Sequence, residues 1–237
     1  MGSFFDNNIS NKIITYIFNR DEDVERWKHI SEYNLNGNRI VPVKLDNPEL
    51  LKIYENTFKP NKNELKRKKE ISNLLTFRDM VLTAKANKHK RIMRVEDDII
   101  IMDGYEDTLS NLPDEFDICH LGLYIKSRSK TARFNKYNDY FVQYDGQQKT
   151  WGILATIINE TLYDKIIVDL FTEKYFYKTL DFYIQSEIIP NYKSFLAYPM
   201  VVQHSIDGNF VKDSIHNLVT DEEMFNKTNV FIKKMIN

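Results

Sequence analysis

Apolar positions along this chain follow two periods in alternation. Residues 12–18 form a continuous β-branched and aromatic run that stops at Asn19-Arg20-Asp21, which predicts a buried strand ending in a polar turn. Val24, Trp27, Ile30 and Tyr33 then fall at three-residue steps, the spacing of an amphipathic helix. Residues 39–44 predict a short second strand and residues 47–54 a short helical or turn-rich piece. The basic run 59–70 predicts a solvated excursion. Ile71, Leu74, Leu75, Val81 and Leu82 return to helical spacing and lead into the stretch 91–102, whose strand pattern is interrupted by Glu96-Asp97-Asp98.

Beyond the acids, residues 105–112 predict a short helix ended by Pro113, and residues 117–124 a further buried strand. Residues 127–139 are polar, without apolar periodicity, and read as a lid or partner-facing loop. Strands are expected at 141–144 and 153–158, a helix capped by Asn159 or Thr161 through Leu170, a helix over 181–188, and a last strand over 194–202 broken by Pro199. The tail is expected to end in a helix. Strand and helix signals alternate without repeat, low-complexity block or flexible linker, so one α/β domain over residues 1–237, built on a mostly parallel mixed sheet flanked by helices, is the expected architecture.

Composition narrows the class more than the mechanism. The 237 residues carry 33 basic and 34 acidic side chains, a formal net charge of -1, which argues against a protein held to nucleic acid by bulk charge. A single cysteine, Cys119, excludes an internal disulfide. No apolar run approaches the roughly 18–20 residues of a membrane span, and a cytoplasmic location is the simplest expectation. Nothing in the pattern assigns an oligomeric state.

The acid triplet carries the chemistry. Three carboxylates inside a strand without partners would be costly, so their expected seat is the strand's exposed carboxyl end, where ligands of open parallel sheets bind. Asn19-Arg20-Asp21 is expected to face the same crevice. Strand alternation sends Glu96 and Asp98 one way and Asp97 the other. Hard oxygen ligands suit Mg²⁺ or Mn²⁺, the ions that offset a bound diphosphate. A solvated acidic turn is the competing reading.

Residues 14–20 with Arg26, Ser72 at a helix start, Glu96-Asp97-Asp98-Ile99, Trp151-Gly152-Ile153-Leu154-Ala155, Leu180-Asp181 and residues 198–205 resemble, in order and spacing, the blocks of the family 25 glycosyltransferases, the lipopolysaccharide-type and collagen galactosyltransferase group. The chain departs from that family where a Ser-His pair is Ser72-Asn73 here, and where a glycine-bearing turn is Val43-Lys44-Leu45-Asp46-Asn47. The resemblance runs over residues 13–205. It implies a GT-A fold, a nucleotide-sugar donor, with a UDP-sugar favoured, a manganese-type ion and a glycan or glycoprotein acceptor. It divides the chain into a nucleotide-binding half (12–103), an acceptor-binding half (104–210) and a tail (211–237).

On that resemblance Asn19, Arg20, Arg26, Asp46, Glu96 and Asp97 are expected near the nucleotide. Asp98 and His204 are the expected metal ligands. Asp181 is the candidate base that deprotonates the acceptor hydroxyl, with Glu187 in reserve. Each has a structural alternative: a helix amino-terminal acid for Asp181, a satisfied structural histidine for His204. Trp151, Tyr144 and Tyr124 fit either sugar stacking or core packing, and His120 reads as core. The competing functions are a metal-dependent phosphodiesterase or nuclease, with Lys62 to Lys69 as its grip, and a catalytically silent glycan- or protein-binding module.

Overall fold

The computed structural model describes residues 13–59, 63–125, 134–144, 150–204 and 221–236, without the side chains of residues 124, 125, 150, 151 and 221–225. In chain order the elements are β1 (Ile13–Phe18), α1 (Val24–Ser31), β2 (Asn38–Ile40), α2 (Pro48–Thr57), α3 (Glu64–Ala86), β3 (Arg91–Glu96) and β4 (Ile99–Ile101), then α4 (Tyr105–Ser110), β5 (Ile118–Ile125), β6 (Phe134–Lys136), β7 (Phe141–Tyr144) and β8 (Thr150–Asn159), and finally α5 (Tyr163–Phe171), α6 (Leu180–Tyr183), β9 (Ser194–Ala197), β10 (Val202–His204) and α7 (Asp221–Ile236). No helix among the described residues is long and apolar enough to cross a membrane.

Eight strands form one mixed sheet in the order β2-β1-β3-β8-β5-β9-β7-β6, and β4 pairs with β10 in a separate two-stranded sheet. The pairing senses make β1, β2, β3, β5, β9 and β6 point one way and only β8 and β7 the other. The expected α/β architecture with a largely co-directional mixed sheet is therefore what forms. The two helical crossovers that return the chain to β2 and β3 place the carboxyl ends of β1, β2 and β3 side by side. Phe18 stands opposite Glu96 in the β1–β3 register, so Asn19 and the acid triplet leave the sheet together.

Several predicted elements change at their ends for physical reasons. The stretch 91–102 is two strands, because the chain exits the sheet at Asp97-Asp98 rather than bury further carboxylates in a ladder. The stretch 194–202 likewise splits into β9 and β10 around Pro199, which has no N–H to give a ladder. The basic run is not an excursion in its described part. From Glu64 onward it forms the first turns of α3, with Lys68 on Glu64 at 2.6 Å and Arg67 on Glu70 at 2.7 Å, charge pairs at helical spacing. The helix predicted over 181–188 is one α turn followed by a π turn over Ile184–Ile188. Residues 127–133 of the predicted loop lie outside the described residues, and its later part contains β6.

The core runs on both faces of the sheet, with Leu74, Leu75, Phe77 and Val81 of α3 fully buried and α3 packed on α2 and α5. Gly122 is where β5 meets the small sheet. A Cβ there would lie 2.1 Å from the Val202 carbonyl oxygen, a backbone atom that cannot swing away. Gly122→Ala is therefore expected to cost about 1–3 kcal/mol, read as a lowered midpoint in thermal or urea unfolding; an unchanged midpoint would contradict this close approach.

Candidate active site: an acid cleft at the end of β3

Alternation along β3 sorts the acids. Arg94, Glu96 and Asp98 face a cleft of about 330 Å³ that is also lined by Glu70 and Asn73 of α3, by Asp181 and by His204. Arg94 is 1% exposed. Its Nη2 donates to Glu96 Oε1 at 2.5 Å, its Nη1 donates to the Ile153 carbonyl at 3.1 Å, and its guanidinium lies 4.5 Å from the centroid of Phe18. Burial is the largest influence on Glu96 and pushes its pKa up, with Arg94 pulling the other way.

Asp97 points behind the cleft. Asn19 Nδ2 donates to Asp97 Oδ2 at 2.6 Å, and Arg26 Nη1 reaches Asp97 Oδ1 at 3.5 Å and Asp98 Oδ2 at 3.2 Å. Asn19 is buried, its Nδ2 also donates to the Asp23 carbonyl, and its Oδ1 accepts from Arg39 Nε at 2.8 Å. Burial pushes Asp97 up to about 6 against the pull of the Asn19 hydrogen bond. Asn19 and Asp97 thus form a brace at the back of the cleft, and Arg26 ties that brace to the cleft-lining Asp98. Both N–H bonds of the Asn19 amide and one lone pair of its oxygen are thereby engaged within the protein.

The opposite wall is built by α6 and β8. Thr179 caps α6, accepting from the Phe182 amide, and this turns Asp181 toward Gly152, whose N–H donates to Asp181 Oδ2 at 3.0 Å. Gly152 has φ +61°, a conformation that favours glycine. Burial is the largest cause raising the pKa of Asp181, opposed by the Gly152 hydrogen bond and by Arg94. This half-buried carboxylate, bonded by the backbone N–H groups of Gly152 and Ile153, lines an open cleft, where a carboxylate can take up a proton.

Other expected residues fall elsewhere. Asp46 is exposed and lines a second groove with Leu45, Leu51 and Leu65, away from the acid cleft. Arg20 gives its backbone carbonyl to Arg39 Nη2 and to the Asp23 amide, and does not line the cleft. Glu187 accepts from Lys178 at 2.6 Å, Ser186 at 3.0 Å and Tyr175 at 3.1 Å; these partners lower its pKa, so the reserve base is a structural anchor. Tyr144 is core, 1% exposed, stacked on Phe134, while the side chains of Trp151 and Tyr124 are outside the described residues.

His120 is also core. Its Nδ1 is 2.9 Å from Thr156 Oγ1, and burial drives its pKa from 6.5 down to about 3. It therefore contributes stability above pH 6.5 that is lost as the pH falls toward 3, while Asp97, raised from 3.8, contributes below 3.8 and loses that contribution as pH rises to about 6. We expect the His120 ring to remain neutral at pH 5 in ¹⁵N-detected NMR. A ring that titrates near 6.5 would contradict its dry setting.

Three cleft residues escaped the sequence reading. Arg94 is masked by the apolar strand around it, although its offset of two from Glu96 puts both on one face. Glu70 and Asn73 sit three apart at the end of what reads as a solvated basic run, and only the helical phase carried on from Ile71 assigns them to one side.

The donor set bears on a metal. Asp98 Oδ2 and His204 Nε2 stand 3.6 Å apart. Among the described residues no group of three His, Cys, Asp or Glu side chains converges as a metal cage, and Glu96 is already held by Arg94. Mg²⁺-type ions in nucleotide sites take one or two protein ligands and complete their shell from phosphates and water. Asp98 offers a hard oxygen, shared with Arg26 at 3.2 Å, and His204 an imidazole nitrogen; the two fit an open site of that kind, completed by phosphates and water, and do not fit a self-contained protein site.

No protein-family model and no curated protein sequence matches the chain. Among solved structures, A197 from STIV is similar over 83% of this chain and 86% of its own, at 12% identity and a TM-score of 0.40. A glycosyltransferase involved in the glycosylation of the major capsid of PBCV-1 is similar over 92% and 99%, at 9% identity and a TM-score of 0.38. The inositol-1-phosphate CTP transferase from T. maritima is similar over 94% and 76%, at 13% identity and a TM-score of 0.37. The likeness to such transferases is distant, and at these scores it carries no activity across to this chain.

Proposed function

We propose that the chain is a metal-assisted glycosyltransferase that moves a hexose from a nucleotide-diphosphate sugar, a UDP-sugar in the first instance, to a hydroxyl of a glycan or glycoprotein. The observation that carries this reading is the shared cleft: the Asp98–His204 pair and the anchored carboxylate of Asp181 line one cavity. The ordered blocks that resemble the family 25 enzymes support it further.

In this reading Asp98 and His204 would hold a Mn²⁺ or Mg²⁺ ion, which when bound supplies positive charge to a departing diphosphate. Asp181 takes the proton from the acceptor hydroxyl as that oxygen attacks the anomeric carbon. The Gly152 and Ile153 N–H groups hold the Asp181 carboxylate at the cleft wall, and Arg94 steadies Glu96 along the cleft floor. A two-metal phosphodiesterase would need more ligand side chains than the described residues bring together.

The test is a thermal-shift panel of UDP, GDP, UDP-glucose, UDP-galactose and GDP-mannose, each with and without Mn²⁺. A saturating ligand at about 100 Kd adds roughly 2.7 kcal/mol, a rise of about 5–10 °C for a chain of this size. We expect one nucleotide class to give that rise only with metal, and Asp98→Ala to abolish it while the unliganded midpoint moves little. No shift with any ligand, or an undiminished shift in Asp98→Ala, would overturn the assignment. A shift without sugar transfer would select the silent module.

A further inference from the structure

Beside the acid cleft lies a surface that the reaction itself does not use. Tyr177 is 53% exposed and Phe182 is 44% exposed. They bracket the turn whose residues Thr179, Leu180 and Asp181 line the cleft.

Both rings are held in place. The ammonium of Lys178, itself 7% exposed, lies 5.6 Å from the Tyr177 centroid and 5.0 Å from that of Phe182. That ammonium is fixed in turn by Ser186 Oγ at 2.8 Å and Glu187 Oε1 at 2.6 Å. Phe182 is anchored at its backbone by the Thr179 cap. Ordering these side chains therefore costs little on binding, which is the property that makes an exposed ring an effective contact surface.

We infer that Tyr177 and Phe182 form a preorganised aromatic platform that packs the C–H face of a pyranose ring of the acceptor, next to Asp181. This deepens the transferase reading and rests on it. The chemistry matches on both sides: a pyranose presents an apolar C–H face to a ring and hydroxyls at its rim. Asn73, Glu70 and Asp181 line the adjoining cleft with hydrogen-bonding groups suited to hydroxyls. The rings flank, along the chain, the residues Thr179–Asp181 that line the acid cleft, and so charged a neighbourhood favours a small polyhydroxylated ligand here over a protein face, whose centre is depleted of charge.

The test uses the full chain and methyl glycosides of glucose, galactose and mannose as probes in saturation-transfer NMR. Tyr177→Leu and Phe182→Leu keep apolar bulk over Lys178 and remove the flat rings, and thermal unfolding checks that each variant is folded. We expect at least one glycoside to be saturated chiefly through its ring C–H protons, and the double variant to bind it on the order of tenfold more weakly with donor stabilisation unchanged. Saturation undiminished in the double variant, or none from any glycoside, overturns the platform. So does a wild-type dimer that the double variant converts to monomer, which would make the patch a protein interface. Glycoside binding through these rings in a chain that no nucleotide stabilises would keep the platform and overturn the transferase reading. Donor stabilisation with glycoside binding indifferent to both substitutions would do the reverse.

Discussion

Arg94→Met is expected to destabilise the protein by about 3 kcal/mol, the lower end of the range for breaking a buried ion pair. That corresponds to a fall of about 6–12 °C in unfolding midpoint for a chain of this length. Three contacts go at once: the ion pair with Glu96, the hydrogen bond to the Ile153 carbonyl and the stacking on Phe18. The lower end applies because the Glu96 side chain keeps 32% of its exposure and water can cushion the abandoned charge. Adding Glu96→Gln removes that charge, so the double variant is expected to recover part of the loss, with non-additivity as the signature of a direct pair. Arg94→Lys should rescue poorly, since one ammonium cannot serve the carboxylate and the carbonyl with the geometry of a guanidinium fork. Strictly additive single and double variants would show that the two side chains are not coupled.

The same residue shows how far the sequence carries. The run of residues 91–96 declares a buried strand, and the acids after it declare where that strand must leave the sheet, because carboxylates and ladder positions are incompatible without partners. Period-two alternation then places Glu96 and Asp98 on the cleft side and Asp97 behind, which is the arrangement found. Alternation also puts Arg94 on the cleft face, but the counter-charge is invisible unless each position in an apolar run is asked what its own face meets.

Long-range pairings were less legible. Asn19, just past β1, turns to Asp97, and Arg26, on α1, turns to Asp97 and Asp98, because a buried carboxylate claims the nearest donors. Asp46 follows β2 closely in sequence, but Val43 just before it is tied to Ser72 and Thr76 of α3, and the turn presents Asp46 to a different groove. Glu187, equivalent to Asp181 as an acid on the same predicted helix, becomes an anchor. The chain passes into a π turn at Ile184, which alters the phase by which helical spacing would have been read. Sequence spacing fixes which side chains share an element; the partner that reaches each one first is set by tertiary packing.

Asp181→Asn is the sharpest probe of the chemistry. The amide oxygen can still accept from the backbone N–H groups of Gly152 and Ile153, so the loop geometry is retained while the proton acceptor is lost. If Asp181 is the base, kcat is expected to fall on the order of 10²–10⁴-fold, with nucleotide-dependent thermal stabilisation unchanged. The pH profile gives an independent sign. Burial raises the pKa of Asp181 from 3.8, and a base must be ionised, so the acid limb of kcat/KM should lie above the ordinary aspartate range and activity should fall as pH drops through it. The folded state binds the extra proton between 3.8 and that raised pKa, so the wild type loses stability as pH rises across this window. Asp181→Asn removes that slope, and is expected to be as stable as wild type or slightly more so at neutral pH. Activity within about fivefold of wild type, against the 10²–10⁴ expected of a general base, would move the proton acceptor elsewhere in the cleft and leave Asp181 as a capping acid of α6.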